Sequence, residues 1–231
     1  MLDAAQRREF YKSHRDRDAT GYKTKHRRQY DREFAALTGA DTTMSVLEIG
    51  CGSGLFLRYL EDRGYAEIVG LDMDEQLAAS LSDLTRAEIH LDDVAALLTG
   101  PLAGRRFDRI VMLDVAEHIE ISALTALLER LKDFLKPGGR LMLRVPNVES
   151  PWGLRMFFGT FDHVTPLGPG RIRELAMLTG WHCETVAPQE PGRAFRRFKE
   201  RLVNGLLAGL LSYHPEIWTA NLLAVWRLPE D

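Results

Sequence analysis

Short apolar runs alternate with longer amphipathic stretches from Val46 to the end of the chain. Apolar runs of about 4–8 residues bounded by turn residues predict strands, and a period near 3.6 predicts helices. Regular alternation of the two is typical of βαβ units on a parallel sheet. The predicted strands are SVLEIG, EIVGLD, AEIHLDD, FDRIVMLD, GRLMLRVP, WHCETVAP and ANLLAVWRLP.

The amphipathic stretches between these strands predict helices at residues 54–63, 75–84, 94–98 and 121–135. The sequence KPGG, residues 136–139, predicts the turn that ends the last of them. Residues 1–40 are expected to form a helical cap, and residues 191–218 a helical insertion before the last strand. The fold class is therefore α/β: a single domain over residues 1–231, built on a doubly wound, mostly parallel seven-stranded sheet with an antiparallel last strand.

Composition narrows the class of protein without naming a partner. The 231 residues are 45% hydrophobic and 27% charged, with a net charge of -3, so we do not expect nucleic acid as a partner. Ten Lys or Arg against five Asp or Glu give residues 1–32 a local charge of +5. The N-terminus lacks the apolar core of a signal peptide, and no apolar run approaches the roughly 20 residues that span a bilayer. Two distant cysteines suggest no disulfide framework. We expect a cytoplasmic protein.

A strand, a glycine-rich turn and a helical pattern follow one another in SVLEIGCGSGLFLRYLEDRG. The turn contains Gly50, Gly52 and Gly54, but leucines at 55 and 57 exclude the dinucleotide pattern G-x-G-x-x-G in both registers. Its pattern is E-x-G-x-G-x-G, beginning at Glu48. A carboxylate beside such a loop disfavours pyrophosphate and favours a cationic ligand, an ammonium or a sulfonium group.

These motifs resemble those of the class I S-adenosylmethionine-dependent methyltransferases, in particular the ubiquinone-pathway O-methyltransferase-like and small-molecule branch. VLEIGCGSG is similar to their first motif, and GLDMDEQ, HLDDV, FDRIVMLDVAEHI and LKPGGRLMLRVPN resemble later ones, in order. The resemblance implies S-adenosylmethionine as cofactor, with Asp72 on the ribose hydroxyls, Met73 on the adenine and Asp93 on its exocyclic amine. The full set implied to bind the cofactor is Glu48, Gly50, Gly52, Gly54, Asp72, Met73, Asp93, Val94 and Leu113.

Acceptor chemistry is expected after the fourth strand, in LDVAEHIE. Asp114, Glu117 and His118 share one face if a helical turn begins there, and His163 follows in a loop that looks exposed. The pattern resembles E-x-x-E-H in ubiquinone-pathway O-methyltransferases and in small-RNA 3′-terminal 2′-O-methyltransferases. That resemblance implies a divalent metal, Mg, Mn, Fe or Zn, on Asp114, Glu117, His118 and His163. Otherwise His118 or His163 is the catalytic base.

The expected reaction is methyl transfer to a small-molecule or lipid- or glycan-linked acceptor, at a hydroxyl. PNVESPWGLRMFFGTFDHVTP is similar to methyltransferases that accompany bacterial polysaccharide and lipid-linked glycan pathways. Residues 193–211 suit contact with a membrane surface, and equally a basic solvated face over an apolar face packed on the core. Two alternatives remain: an RNA 2′-O-methyltransferase that uses the basic N-terminus as a phosphate track, and a non-catalytic cofactor-binding scaffold.

Overall fold

A computed structural model describes residues 21–190, 192 and 194–229, together with Gln6 and Glu9. Seven strands form its sheet. In chain order they are β1 (Ser45–Ile49), β2 (Glu67–Asp72), β3 (Glu88–Leu91), β4 (Phe107–Leu113), β5 (Leu135–Pro146), β6 (His182–Pro188) and β7 (Asn221–Arg227).

The helices of the described chain are α1 (Thr24–Tyr30), α2 (Leu55–Arg63), α3 (Ala78–Leu81), α4 (Val94–Thr99), α5 (Ile121–Leu131), α6 (Pro151–Phe157), α7 (Pro169–Leu178) and α8 (Ala194–Leu210). A π-helical turn, Asp31–Ala35, and a short α-helical turn, Ala36–Thr38, continue α1. The described chain also has three 3-10 turns: one before α3 (Glu75–Leu77), one after β4 (Ala116–His118) and one after α5 (Lys132–Phe134).

The strand order is β3-β2-β1-β4-β5-β7-β6. The first five strands run parallel, and β7 pairs antiparallel with both β5 and β6. The order reverses between β1 and β4, and the crevice at such a switch point is where open α/β sheets bind ligands. The doubly wound sheet predicted from the sequence, with its antiparallel last strand, is confirmed.

Apolar layers cover both faces of the sheet. Because neighbouring strand residues point to opposite faces, Val46 packs with α1, α2 and α3, whereas Leu47 packs with α4, α5 and α7. The first layer includes an aromatic cluster around Phe34, which is fully buried. Its ring centroid lies 5.0 Å from that of Phe56 and 5.9 Å from that of Tyr65. These contacts fix the segment after α1 against α2.

Several predicted boundaries are corrected by the structure. The helix predicted at 75–84 is a 3-10 turn followed by the four residues of α3. The helix predicted at 121–135 ends as α-helix at Leu131. The KPGG segment lies within β5 as an irregularity, because the stretch from Leu135 to Arg140 opposes the shorter stretch from Phe107 to Arg109, and Gly138 takes a left-handed φ of 75°.

The flanking segments are also only partly as predicted. The helical cap is seen from Thr24, and the prediction for residues 1–20 lies outside the described residues apart from Gln6 and Glu9. The insertion is helical over Ala194–Leu210 and irregular from there to β7. Helices α6 and α7 lie outside the predicted set. No helix in the described ranges is long and apolar enough to cross a membrane.

Replacing Phe34 by alanine should destabilise the fold by about 3–5 kcal/mol, because the side chain is fully buried among aromatic rings. The free energy of unfolding in urea measures this loss. The matched control is Phe195→Ala, since Phe195 is 69% exposed and its truncation should change stability by less than about 0.5 kcal/mol. Equal losses in the two variants would contradict the packing of α1 described above.

Candidate active site

The glycine-rich loop connects β1 to α2 at the carboxyl edge of the sheet. Gly50, Gly52 and Gly54 have φ values of 73°, 57° and 77°, a left-handed conformation that favours glycine. A Cβ added at Gly50 would lie 2.3 Å from Cγ2 of Val115, so the loop also lies directly against the segment after β4. The backbone N–H groups of Gly50 and Cys51 donate to the carbonyl of Leu71, 2.7 and 2.9 Å away. The loop is therefore tied to the end of β2.

The Asp72 carboxylate, 4% exposed, strengthens this connection. One oxygen accepts from the N–H of Gly52 at 2.9 Å, and the other from the N–H of Asp74 at 3.0 Å. Each carboxylate oxygen can accept more than one hydrogen bond. Asp72 can consequently hold the loop and still receive hydroxyl donors, as its predicted ribose contact requires.

The remaining predicted cofactor residues lie around the same edge. Glu48 is buried near the end of β1, and Leu113 ends β4. Met73 is 39% exposed beside Asp72. Asp93 caps α4, because its Oδ1 accepts from the N–H of Ala95 at 2.9 Å. Val94 is the first residue of that helix. The adenine contact of Asp93 stays a prediction.

This edge fits S-adenosylmethionine by its own chemistry. It offers a left-handed glycine loop for close backbone approach, the N-terminal end of α2, and the buried carboxylates of Glu48 and Asp72 on adjacent strands. A carboxylate near a sulfonium or ammonium group is favourable, and one on a ribose hydroxyl is the usual partner in nucleotide folds. Cys51 and Cys183 are not joined by a disulfide. No chemistry is assigned to the Cys51 thiol.

The acceptor side begins at Asp114, which has a φ of 58°. Its carboxylate forms a bidentate ion pair with Arg144 of β5, with oxygen–nitrogen distances of 2.9 and 2.6 Å. The left-handed backbone removes Asp114 from the 3-10 turn at Ala116–His118. The predicted single helical face shared by Asp114, Glu117 and His118 is therefore wrong.

Arg144 is 14% exposed in its side chain and also lies 3.9 Å from a carboxylate oxygen of Glu33. Burial lowers the pKa of the Arg144 guanidinium, yet the charge and hydrogen bonds of Asp114 more than offset this and leave it raised. Burial also raises the pKa of Glu33, although hydrogen bonds from Gln189 and Gln29 oppose the shift. The segment after α1 thus contributes a buried acid to the acceptor side.

Three of the four predicted metal ligands come together. One ligand atom each of Glu117, His118 and His163 lies within 4.8 Å of the others. The rings of His118 and His163 meet edge to face, with centroids 4.6 Å apart. Asp114, the fourth predicted ligand, lies outside the group and is paired with Arg144. His163 is half-buried, so the expectation of an exposed loop histidine is corrected.

Backbone hydrogen bonds bring the His163 loop to the turn after β4. The N–H groups of Val164 and Thr165 donate to the carbonyl of Glu117 at 2.8 and 3.1 Å. The Thr165 hydroxyl donates to the carbonyl of Ile119 at 2.6 Å. These hydrogen bonds bring His163 next to His118, although the two residues are far apart in the sequence.

Each imidazole is oriented through Nδ1. That of His118 lies 3.2 Å from a carboxylate oxygen of Asp162, and that of His163 lies 3.0 Å from the carbonyl of Phe157. Burial raises the pKa of Asp162, but hydrogen bonds from His118 and Thr160 outweigh it and hold the pKa at about 2. An ionised carboxylate and a carbonyl only accept hydrogen bonds. The neutral His163 ring then carries its proton on Nδ1 and its lone pair on Nε2.

Glu117 is the most unusual group of the cluster. It is 1% exposed, and neither carboxylate oxygen has a hydrogen-bond partner among the described residues. Burial and the nearby charge of Asp114 raise the pKa of Glu117 well above its ordinary value. A buried carboxylate in this condition is costly unless a proton or a cation joins it. The cluster therefore fits a divalent cation, held by one carboxylate and two imidazoles.

Three site residues were missed by the sequence reasoning. Arg144 could have been found, because an arginine inside the apolar strand GRLMLRVP must pair with an acid if it is buried. Asp162 immediately precedes His163, but nothing local indicates its contact with His118. Glu33 has the sequence context of an ordinary surface acid in a basic helix.

Comparison with known proteins agrees with this geometry. A family profile described as a methyltransferase domain matches residues 22–198. The chain is 26% identical over 111 residues to sphingolipid C9-methyltransferase B of Emericella nidulans, covering 47% of this chain and 22% of that protein. It is 28% identical over 111 residues to the ubiquinone biosynthesis O-methyltransferase of Neisseria meningitidis, covering 44% of each. The chain thus spans less than half the length of these relatives.

A crystal structure of an S-adenosylmethionine-dependent methyltransferase from Archaeoglobus fulgidus superimposes with a TM-score of 0.69. The match covers 97% of this chain and 99% of that one, at 18% identity, and it shows the shared fold. Because the profile covers most of the chain, the chain belongs to the methyltransferase domain family.

Proposed function

We propose that this methyltransferase acts on a hydroxyl of a small-molecule or lipid- or glycan-linked acceptor, and that the acceptor oxygen is activated at Glu117, His118 and His163. The observation that carries the proposal is the buried Glu117 carboxylate, with no hydrogen-bond partner among the described residues, beside two imidazoles oriented through Nδ1. A hydroxyl must lose its proton as it is methylated. The cluster supplies bases for that proton.

The names of two relatives each support one part of this acceptor class, the lipid in one case and the oxygen in the other. One is a sphingolipid C9-methyltransferase and another a ubiquinone biosynthesis O-methyltransferase, so a lipid appears in one name and oxygen in the other. The exposed Phe158 and Phe161, 75% and 79% exposed, lie just before His163 in the chain. Such side chains suit an acceptor with an apolar part.

When bound, S-adenosylmethionine supplies the methyl group. Glu48 and Asp72 bind and orient the cofactor, and the glycine loop allows its close approach. In-line positioning of the two reactants can supply a large part of the rate enhancement in such a transfer. The loop–β2 hydrogen bonds preorganise that side of the reaction before the acceptor enters.

We further propose that the cluster holds a divalent cation, with Glu117, His118 and His163 as its protein ligands. Histidine ligands usually donate their other ring N–H to a carboxylate or a carbonyl. Nδ1 of His163 is hydrogen-bonded to the carbonyl of Phe157, and Nδ1 of His118 lies 3.2 Å from a carboxylate oxygen of Asp162. Such an ion would polarise the acceptor hydroxyl as a Lewis acid. Without an ion, His163 or His118 accepts the proton directly.

The cofactor part of the proposal predicts that Asp72→Ala weakens binding of S-adenosylhomocysteine about ten- to a hundredfold, as expected for loss of hydrogen bonds to a charged group. Calorimetry measures this, with Glu174→Ala on α7 as an exposed, charge-matched control. Because Asp72 also holds the loop, the unliganded melting temperature of each variant must be compared. Unchanged affinity in a folded Asp72→Ala protein would remove Asp72 from the cofactor site.

The metal part predicts about one divalent ion per chain after dialysis against Mg²⁺, Mn²⁺, Fe²⁺ or Zn²⁺ and removal of the excess. Glu117→Gln keeps the shape of the side chain but loses its charge, and should weaken ion binding about ten- to a hundredfold, as should His163→Ala. Elemental analysis and calorimetry read this without turnover. Three results together would favour the direct-base mechanism instead: no ion binds, a chelator leaves turnover unchanged, and loss of one histidine lowers turnover far more than loss of the other.

The base chemistry predicts a pH dependence. Burial and the neighbouring His118 lower the pKa of His163 from its ordinary value of 6.5. Since the neutral ring is the base, kcat/KM in metal-free buffer should rise as pH passes upward through that lowered pKa and be level at neutral pH. A pH–rate profile tests this, and His163→Ala should abolish the rise. A wild-type midpoint above 6.5 would contradict the assignment.

A further inference from the structure

Helix α8 turns its apolar side toward solvent. Phe195, Phe198, Leu202, Leu206 and Leu210 follow one another at intervals of three or four residues, so they form one stripe along the helix. Each is between 63% and 73% exposed, and no residue of the helix is buried. The apolar stripe therefore has no cover among the residues that the structure describes.

The other side of α8 lies nearer the body of the protein and is polar apart from the half-buried Leu207 and Ala208. Arg197, Glu200 and Asn204 are half-buried there, and the Arg197 guanidinium lies 3.5 Å from a carboxylate oxygen of Glu190. An ordinary surface helix has the opposite arrangement, with apolar residues on the core and polar residues in water. The alternative that the apolar side of this segment packs on the core is thus contradicted by the structure.

Basic residues flank the stripe in the first half of the helix. Ala194–Leu210 contains four Lys or Arg and one acid, Glu200. At 3.6 residues per turn, Arg196 and Arg201 fall on opposite sides of the stripe. Their side chains are 71% and 70% exposed, and they form ion pairs with Glu200 and Glu190. Lys199 lies over the Phe195 ring, 4.6 Å from its centroid. The helix therefore presents an apolar stripe within a basic border.

We propose that α8 is a membrane-docking helix that lies in the interface of an anionic bilayer, with the stripe among the acyl chains and the basic border at the headgroups. Interfacial helices combine these two features. If α8 of a second copy of the chain packed on the stripe, its apolar residues would match. Its basic residues would then lie against the basic border of the first copy, with only one acid in each helix to offset the repulsion. Anionic lipid complements both. This binding requires neither cofactor nor acceptor and is independent of the proposed hydroxyl chemistry.

A series of hydrogen bonds connects the segment after α8 to the acceptor cluster. The segment after the helix is hydrogen-bonded to the start of α6: the Ser150 hydroxyl donates to the carbonyl of Trp218, and the Asn147 amide to that of Ile217, both at 2.7 Å. The last residue of α6, Phe157, accepts the hydrogen bond from His163. Docking of α8 would therefore hold the acceptor side close to the source of a lipid-linked substrate.

Vesicle co-sedimentation of the full chain tests the proposal, with vesicles of phosphatidylcholine alone or mixed with phosphatidylglycerol. Wild type should bind the mixed vesicles and lose binding as salt rises. The double variant Leu202→Glu with Leu206→Glu should bind more than about tenfold more weakly, since two leucines no longer enter the acyl region. Arg196→Gln and Arg201→Gln should each weaken binding about fivefold.

The matched control is Met177→Glu with Leu178→Glu on α7, which adds the same charge at side chains that are 73% exposed. It should bind vesicles about as tightly as wild type, and melting temperatures should show that all variants fold. Equal loss in the control, or no binding by wild type, would overturn the proposal. So would a wild-type dimer, seen by light scattering, that the Leu202→Glu and Leu206→Glu substitutions dissociate without any vesicle binding. The stripe would then be an interface between copies of the chain.

Discussion

The site depends on a charge that lies inside the sheet. Arg144 belongs to β5, a strand whose neighbouring residues are buried leucine and valine, and its guanidinium is almost covered. A buried charge that loses its partner costs about 3–5 kcal/mol. Asp114 supplies the partner charge through a bidentate ion pair. Its own backbone is left-handed, a conformation that costs a non-glycine residue about 1–3 kcal/mol. The pair keeps Asp114 in that conformation.

The left-handed conformation of Asp114 sets the course of the chain after β4. Because the backbone at Asp114 is left-handed, no helix begins directly after β4. The 3-10 turn that follows instead places Glu117 and His118 at the carboxyl edge of the sheet. The carbonyl of Glu117 then receives the His163 loop through two N–H groups. On the other side, Arg144 approaches Glu33 in the π-helical turn after α1. One guanidinium thus connects the helical cap, the cofactor edge and the acceptor cluster.

The sequence predicted the sheet and the glycine-rich loop well because both are encoded in local signals. Backbone conformation and residues near in sequence determine three features: the five-residue strand β1, the left-handed glycine turn after it, and the acid at the end of the next strand. Gly50, Gly52, Gly54 and Asp72 therefore lie where the pattern placed them. The boundaries of α3 and α5 were less accurate, because short turns such as Lys132–Phe134 satisfy the same hydrophobic spacing as a helix.

The acceptor side could be predicted only in part, because it is assembled from contacts between distant segments. His118 and His163 could be nominated by residue type, but Asp162 orients His118 through a loop about forty residues further along, and Asp114 is taken by an arginine thirty residues away. Neither contact has a local pattern. The two halves of the site thus differ in how the chain specifies them: local sequence specifies the cofactor half and tertiary contacts the acceptor half. Changes in the loops can consequently alter the acceptor while the glycine turn and Asp72 are kept. The class of reaction is therefore easier to infer from this sequence than the identity of the acceptor.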